Sequence, residues 1–163
     1  MAIFSISYSV GAQSTVSTED AETFLKEFQL AIEGIDAIGI FTHNVSIALP
    51  MFIPGFGMIW GAFAAWSTGF AFSALVSRTR MLSEIPPLAL LFVSPFGFME
   101  IVAYSIGMSR SFLLIQSIIK KKSIKSELTP TAIEVGIAVA LLLAGGFIEF
   151  IMIQDFGDFN LSS

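Results

Sequence analysis

Long apolar stretches separated by short polar ones dominate this chain, and their lengths predict its elements. Ala2 to Ala12 is apolar but runs for only eleven residues. A bilayer span needs about 20. With no basic residue ahead of it, this stretch makes a poor signal peptide. Residues 1–16 are therefore read as a first span that is short or partial. In residues 17–43 the pattern changes. Ser17-Thr18-Glu19-Asp20 has the form of a helix start with acids in its first turn. Phe24, Leu25, Phe28, Ile32, Ile35 and Ile38 then recur near helical spacing, with Glu22, Lys26, Glu27 and Glu33 between them. This predicts an amphipathic helix, packed on the bundle or lying at the interface.

Asn44 to Val76 carries no formal charge and is too long for one straight span. Pro50, Pro54, Gly55 and Gly57 supply a natural break. The expectation over 44–77 is a short helix from Asn44 to Pro50, a bent Pro-Gly segment, and a long helix from about Met58 to Ser77. Gly61, Ala62, Ala64, Ala65, Gly69 and Ala71 give that helix small faces for close contact. A polar loop from Arg78 to Glu84 follows. Pro86 and Pro87 open a span over 86–108. Residues 109–128 read as a basic interfacial helix, and Thr129-Pro130 opens a last span over 129–154. Residues 155–163 form a polar tail. The predicted fold class is all-α: one polytopic membrane bundle of about four spans, the first short, with a Pro/Gly-broken helix and amphipathic interfacial helices.

Composition narrows the function classes. Of 163 residues, 55% are hydrophobic and 13% charged, against about a quarter charged in soluble domains. Mean hydropathy is +0.82. There is no cysteine, which removes disulfides, thiolate metal sites and cysteine nucleophiles. His43 is the one histidine, so this chain alone cannot build a histidine-rich metal centre. Net charge is −5, and the sign is unevenly spread. Acids cluster from Glu19 to Asp36 and at Asp155 and Asp158, whereas Lys120, Lys121, Lys122 and Lys125 form a basic block. No basic surface suited to nucleic acid is evident. Under the positive-inside rule the five-cation segment Arg110 to Lys125 faces the cytoplasm, and the Arg78/Arg80 loop and the acidic tail face outward. The acidic segment 17–41 is then cytoplasmic if 44–77 crosses once, and outside if the Pro-Gly segment is re-entrant.

The candidate site residues are polar groups at membrane depth: Glu100, Glu149, Asn44, His43, Arg78 and Arg80. Ionisable side chains are expensive there and mark function or assembly. Counted from the shared ends of spans 86–108 and 129–154, Glu100 and Glu149 should differ in depth by about 15–18 Å. Each acid should therefore be satisfied separately. Glu149 is expected to pair with Arg78 or Arg80, and Glu100 to lean on Ser67, Thr68, Trp60 or carbonyls freed near Pro95. Asn44 is expected to cap a helix at a membrane boundary, with His43 solvated beside it. No catalytic, metal-binding or cofactor-binding set is expected. Pro54-Gly55-Phe56-Gly57 lacks the lysine and hydroxyl residue of a phosphate loop. The basic block should touch anionic headgroups.

Five pieces in order resemble one family. Asn44-Val45-Ser46-Ile47-Ala48-Leu49 looks like an asparagine opening a span. Gly69-Phe70-Ala71-Phe72-Ser73-Ala74-Leu75 looks like a glycine and small-residue stretch. Pro95-Phe96-Gly97-Phe98-Met99-Glu100 looks like a Pro-His-Gly-x-x-Glu motif. Ala103 to Gly107 follows, with Arg110 after it. Leu141 through Gly145-Gly146 to Glu149 looks like a closing segment with its glutamate. Over Phe41 to Ile153 the chain resembles the stage II sporulation protein M family of integral membrane proteins. It departs from that pattern at Phe96, where the family has histidine, and at Thr68-Gly69, where the family has Asn-Gly. The departure at Phe96 puts any histidine-dependent proton or metal chemistry in doubt.

The resemblance implies a scaffold in the cell membrane of a bacterium or archaeon. The expected function is a non-catalytic integral membrane subunit that scaffolds or stabilises a larger complex, either an envelope-remodelling assembly or a membrane enzyme to which it is an accessory chain. Its partners would be other membrane protein subunits and lipids, with a homo-oligomer as a further form. The alternative is a small transporter or channel subunit using Glu100 as an intramembrane proton or cation site.

Overall fold

A computed structural model describes residues 1–17, 19, 21–24, 26, 30, 34–78 and 86–161, without the side chains of 78, 90 and 156–161. The fold is an all-α membrane bundle, and no strand occurs among the described residues. Its elements are α1 (Ala2–Ala12), α2 (Ala37–Ala48) with a 3-10 turn (Leu49–Phe52), α3 (Phe56–Arg78), α4 (Pro87–Val93), α5 (Pro95–Ile119) and α6 (Lys125–Leu161). Three segments are long and apolar enough to cross a membrane: Phe56–Ser77, Pro95–Ile119 and Lys125–Asp155. Their outer faces carry bare apolar side chains such as Ile59, Ile119 and Ile137. On a water-soluble surface so much exposed apolar area would drive association; in a bilayer it meets acyl chains.

Local chemistry sets the boundaries. Gly34 has φ +70, and Asp36 starts α2 by accepting a hydrogen bond from the Gly39 amide at 2.7 Å. Pro50 tightens the end of α2 into the 3-10 turn, after which Ile53 is extended ahead of Pro54. Gly55 sits at φ +77, a conformation that a Cβ would strain. The chain therefore reverses at Ile53-Pro54-Gly55. Ser94 is likewise extended before Pro95 and caps α5 through the Gly97 amide at 3.2 Å. At the other end of α5, the Lys122 amide bonds back to the Ser117 carbonyl and that of Lys121 to Ile118, with Lys121 at φ 52. This is a Schellman closure built on lysine where glycine is usual.

The contacts define the course of each helix. Asn44 meets Glu100, Met51 and Phe52 meet Gly107, and Gly55 meets Ile115, so α2 runs parallel to α5. Met99 lies against Gly145 and Arg110 against Glu134, so α6 runs antiparallel to α5. In α3, Gly61 packs on Met108, Met58 lies near Met1 to Ile3, and Ser73 donates to the Ser14 carbonyl. Helix α3 therefore returns alongside α1, antiparallel to α5. Gln13, Asp36, Pro95 and Gln154 accordingly share one end of the bundle, and Gly55 shares the other with the Lys120–Lys122 turn.

Helices α1 and α3 cross at two interlocked glycines. A Cβ on Gly11 would fall 2.1 Å from the Trp66 carbonyl oxygen, and one on Gly69 would fall 2.0 Å from that of Tyr8. Only glycine at both positions lets the backbones approach so closely. The core then forms around α5, from Phe4, Tyr8, Met51, Phe52, Ala65, Phe72, Ile101, Tyr104, Met108 and Leu142.

Several expected boundaries change. Residues 44–77 do not cross once, because the Pro-Gly segment is a hairpin turn. Asn44 lies inside α2 and opens no helix. The helix expected over 17–43 is interrupted at Gly34; residues 21–24 are helical, and much of the remainder lies outside the described residues. The 86–108 span is broken at Ser94, because an extended residue must precede Pro95. The 109–128 interfacial helix is absent as a separate element: α5 continues to Ile119, and α6 begins at Lys125 and takes in Pro130.

Candidate functional site

Glu100 lies one and a half turns into α5, on the face that meets α2. Buried Asn44 extends its amide from α2, and its Nδ2 donates to Oε1 of Glu100 at 2.6 Å. The pair ties together helices that diverge 56 positions apart in sequence. Asn44 can do this because α2 runs through it in helical form; as a helix cap it would have faced its own backbone. Two of the other partners expected for Glu100 are engaged elsewhere. The Trp60 indole N–H donates to the Ile47 carbonyl at 2.9 Å, and Thr68 donates to Ala64 within its own helix.

Glu149 belongs to the same end of the bundle. In the register fixed by Met99 with Gly145, it faces the Pro95 turn, about five residues or about 7 Å along the axis from Glu100. The two acids interact electrostatically, and Tyr104, one turn beyond Glu100, feels both. The expected separation of 15–18 Å is thus too large. It rested on a span ending at Met108, whereas α5 ends at Ile119, which places Glu100 near the start of its helix.

The surroundings of the two carboxylates differ. Glu100 is held by its own chain. Glu149, partly buried, has neither a hydrogen-bond nor an ion-pair partner among the described residues. It lines an open, almost wholly apolar groove of about 330 Å³ with Phe96, Met152 and Ile153. Of its expected partners, the Arg78 side chain and all of Arg80 lie outside the described residues. His43 is exposed, on the turn of α2 next to Asn44, and joins neither acid. No group of three or more His, Cys, Asp or Glu that could hold a metal ion occurs among the described residues.

A second polar cluster escaped the sequence reading. Arg110, 5% exposed, donates through Nε to Glu134 at 2.7 Å, through Nη2 to the other oxygen of the same carboxylate, and through Nη1 to Glu127 at 3.1 Å. Ser117 also donates to Glu127 at 3.1 Å. The available signal was Glu127 and Glu134, two turns apart on one face of the following helix. Below it, Ser111 donates to the Ile53 carbonyl at 2.6 Å and pins the hairpin turn to α5.

These contacts are the chain's own. The chain matches no protein-family model, and no curated protein or solved structure is significantly similar to it.

Proposed function

We propose that this chain is a non-catalytic integral membrane subunit that stabilises a larger membrane complex. The observation that carries this reading is Glu149: a carboxylate set into an apolar groove, with no cation from its own described residues. An ionisable group at membrane depth is retained where something satisfies it. Glu100 and Arg110 are satisfied internally; Glu149 lines the groove. The resemblance to the stage II sporulation protein M family supports the same reading, since scaffolding is what that resemblance implies. The complex would be an envelope-remodelling assembly or a membrane enzyme with this chain as accessory. With the lysine turn cytoplasmic under the positive-inside rule, the bundle end that carries Gln13, Asp36 and Gln154 faces outward.

The test is gentle extraction from native membranes, followed by native electrophoresis and mass spectrometry of the band. Fixed partners in constant ratio are expected. A chain that migrates alone overturns the subunit reading.

A second reading is favoured by one observation, the proximity of Glu100 to Glu149. Two neighbouring carboxylates inside a bundle can exchange a proton or bind a cation, as a small transporter or channel subunit would require. Reconstituted into vesicles, the chain would then carry proton or cation flux that Glu100→Gln abolishes. Flux unchanged by that substitution removes this reading.

A further inference from the structure

We infer that the turn joining α5 to α6 is a binding site for anionic phospholipid headgroups, with Lys120, Lys121, Lys122 and Lys125 as its cations. All four lysines are exposed. The turn that carries them has a fixed backbone. The Lys122 amide bonds to the Ser117 carbonyl at 2.9 Å and the Lys121 amide to that of Ile118 at 3.0 Å, which holds Lys121 at φ 52. A side chain strains that conformation, and glycine would adopt it freely. The turn therefore keeps a cation where an uncharged residue fits better, and strain of this kind points to use of the side chain. Beneath the turn, Arg110 and Ser117 both hold Glu127, so the ends of α5 and α6 stay together and the lysines with them.

The charges around the turn are unbalanced. From Arg110 to Glu134 the chain carries five cations and two acids. Both acids bind Arg110, so the four lysine charges face a single excess negative one. The apolar neighbours decide which anion meets them. Ile118, Ile119, Ile124 and Leu128 are all exposed; Ile119 directly precedes Lys120, and Ile124 stands between Lys122 and Lys125. A water-borne acidic partner would leave these side chains in water. A bilayer covers them with acyl chains, while each lysine stem carries its ammonium group up to the phosphate layer.

The test uses the full chain alone in phosphatidylcholine nanodiscs, so its outcome is independent of the subunit reading. Ser123→Cys carries a fluorophore, and the quencher is a lipid spin-labelled high on its acyl chain, either phosphatidylglycerol or phosphatidylcholine. A lysine at a membrane surface is worth about fivefold in anionic-lipid binding. At low salt the phosphatidylglycerol should therefore reach half-quenching at a mole fraction at least about fivefold below that of phosphatidylcholine, and added salt should narrow the gap. The same label at Gln13, at the opposite end of the bundle, should show no such preference. Replacing the four lysines by glutamine should abolish the preference, and replacing them by arginine should keep it. Lys121→Gly relaxes the backbone and removes one charge, and it should lower the preference about fivefold with an unchanged far-UV circular dichroism spectrum. This variant carries the test should the fourfold glutamine variant lose helix. Equal quenching by the two lipids, an equal preference at Gln13, or a preference that survives either the glutamines or Lys121→Gly overturns the inference. Displacement of the phosphatidylglycerol by inorganic phosphate in the buffer also overturns it, since the site would then take free phosphate in place of a headgroup.

Discussion

Replacing Glu134 by alanine is the sharpest probe of how the bundle is held. The Arg110 side chain is 7% exposed, so its charge cannot turn to water when a partner goes. Glu134 supplies both oxygens to it, and Glu127 one. Removing one partner of a fully buried ion pair costs about 3–5 kcal/mol. Glu134 itself is 31% exposed, so water enters the vacated space and the expected cost of Glu134→Ala falls to about 2–3 kcal/mol. Glu127→Ala removes one 3.1 Å bond from Arg110 and one from Ser117 and should cost about 1–2 kcal/mol. Arg110→Met, which withdraws the charge and keeps the apolar stem, should cost less than Glu134→Ala, because no buried charge is left alone. The assay is reversible unfolding in mixed micelles with rising dodecyl sulfate. It is read by circular dichroism and by labelling of a single cysteine placed at Leu142, which is fully buried in a chain with no other cysteine. A double-mutant cycle between Arg110 and Glu134 should show coupling of about 2 kcal/mol. Coupling near zero, or Arg110→Met more damaging than Glu134→Ala, would refute the argument.

Other expectations follow from the same geometry. Gly69→Leu should cost about 1–3 kcal/mol and expose a reporter cysteine at Phe4 by driving α1 off α3; Gly136→Ala, whose Cβ meets nothing within 4 Å, should be neutral or slightly stabilising. Equal reporter labelling in the two variants would discount the glycine crossing. Asn44→Leu should cost about 1–3 kcal/mol by leaving Glu100 without its donor, and Asn44→Leu with Glu100→Leu should recover most of that in the same unfolding assay. Single cysteines at Gln13 and Gln154 should react with an impermeant maleimide from one side of sealed vesicles, and one at Ser123 from the other. Gln13 and Gln154 reacting from opposite sides would contradict the hairpin at Gly55.

The apolar runs made the all-α membrane class legible, because long charge-free stretches have few other uses. What they could not convey was direction. Pro54 and Gly55 announce a break, but a kink and a reversal have the same residues; contacts with Ser111 and Ile115, far along the chain, decide between them. The error over Glu100 and Glu149 came from the same source. Pro86-Pro87 looks like the start of a span, yet the helix that matters begins at Pro95 and runs on through Ser109 to Ile119, residues whose mixed polarity suggested an interface. Moving that end by eleven residues brings the two acids to neighbouring levels. Asn44 was singled out for its position and misjudged in its role, since a polar residue at the start of an apolar run looks the same whether it caps a helix or sits within one.

The polar bonds along α5 have a mechanical consequence. Glu100, Arg110, Ser111 and Ser117 are each tied to another segment, over about 25 Å of the helix. A strut fastened at so many heights cannot slip lengthwise by a turn without breaking all its ties at once. Helix α1 has no ion pair; its close approach to α3 is backed by the bond from Tyr8 to the Pro87 carbonyl and the one from Ser73 to the Ser14 carbonyl. A pull applied at Glu149 is therefore transmitted stiffly along α5 and α6 to the lysine turn on the far side, while α1 is the part left free to give.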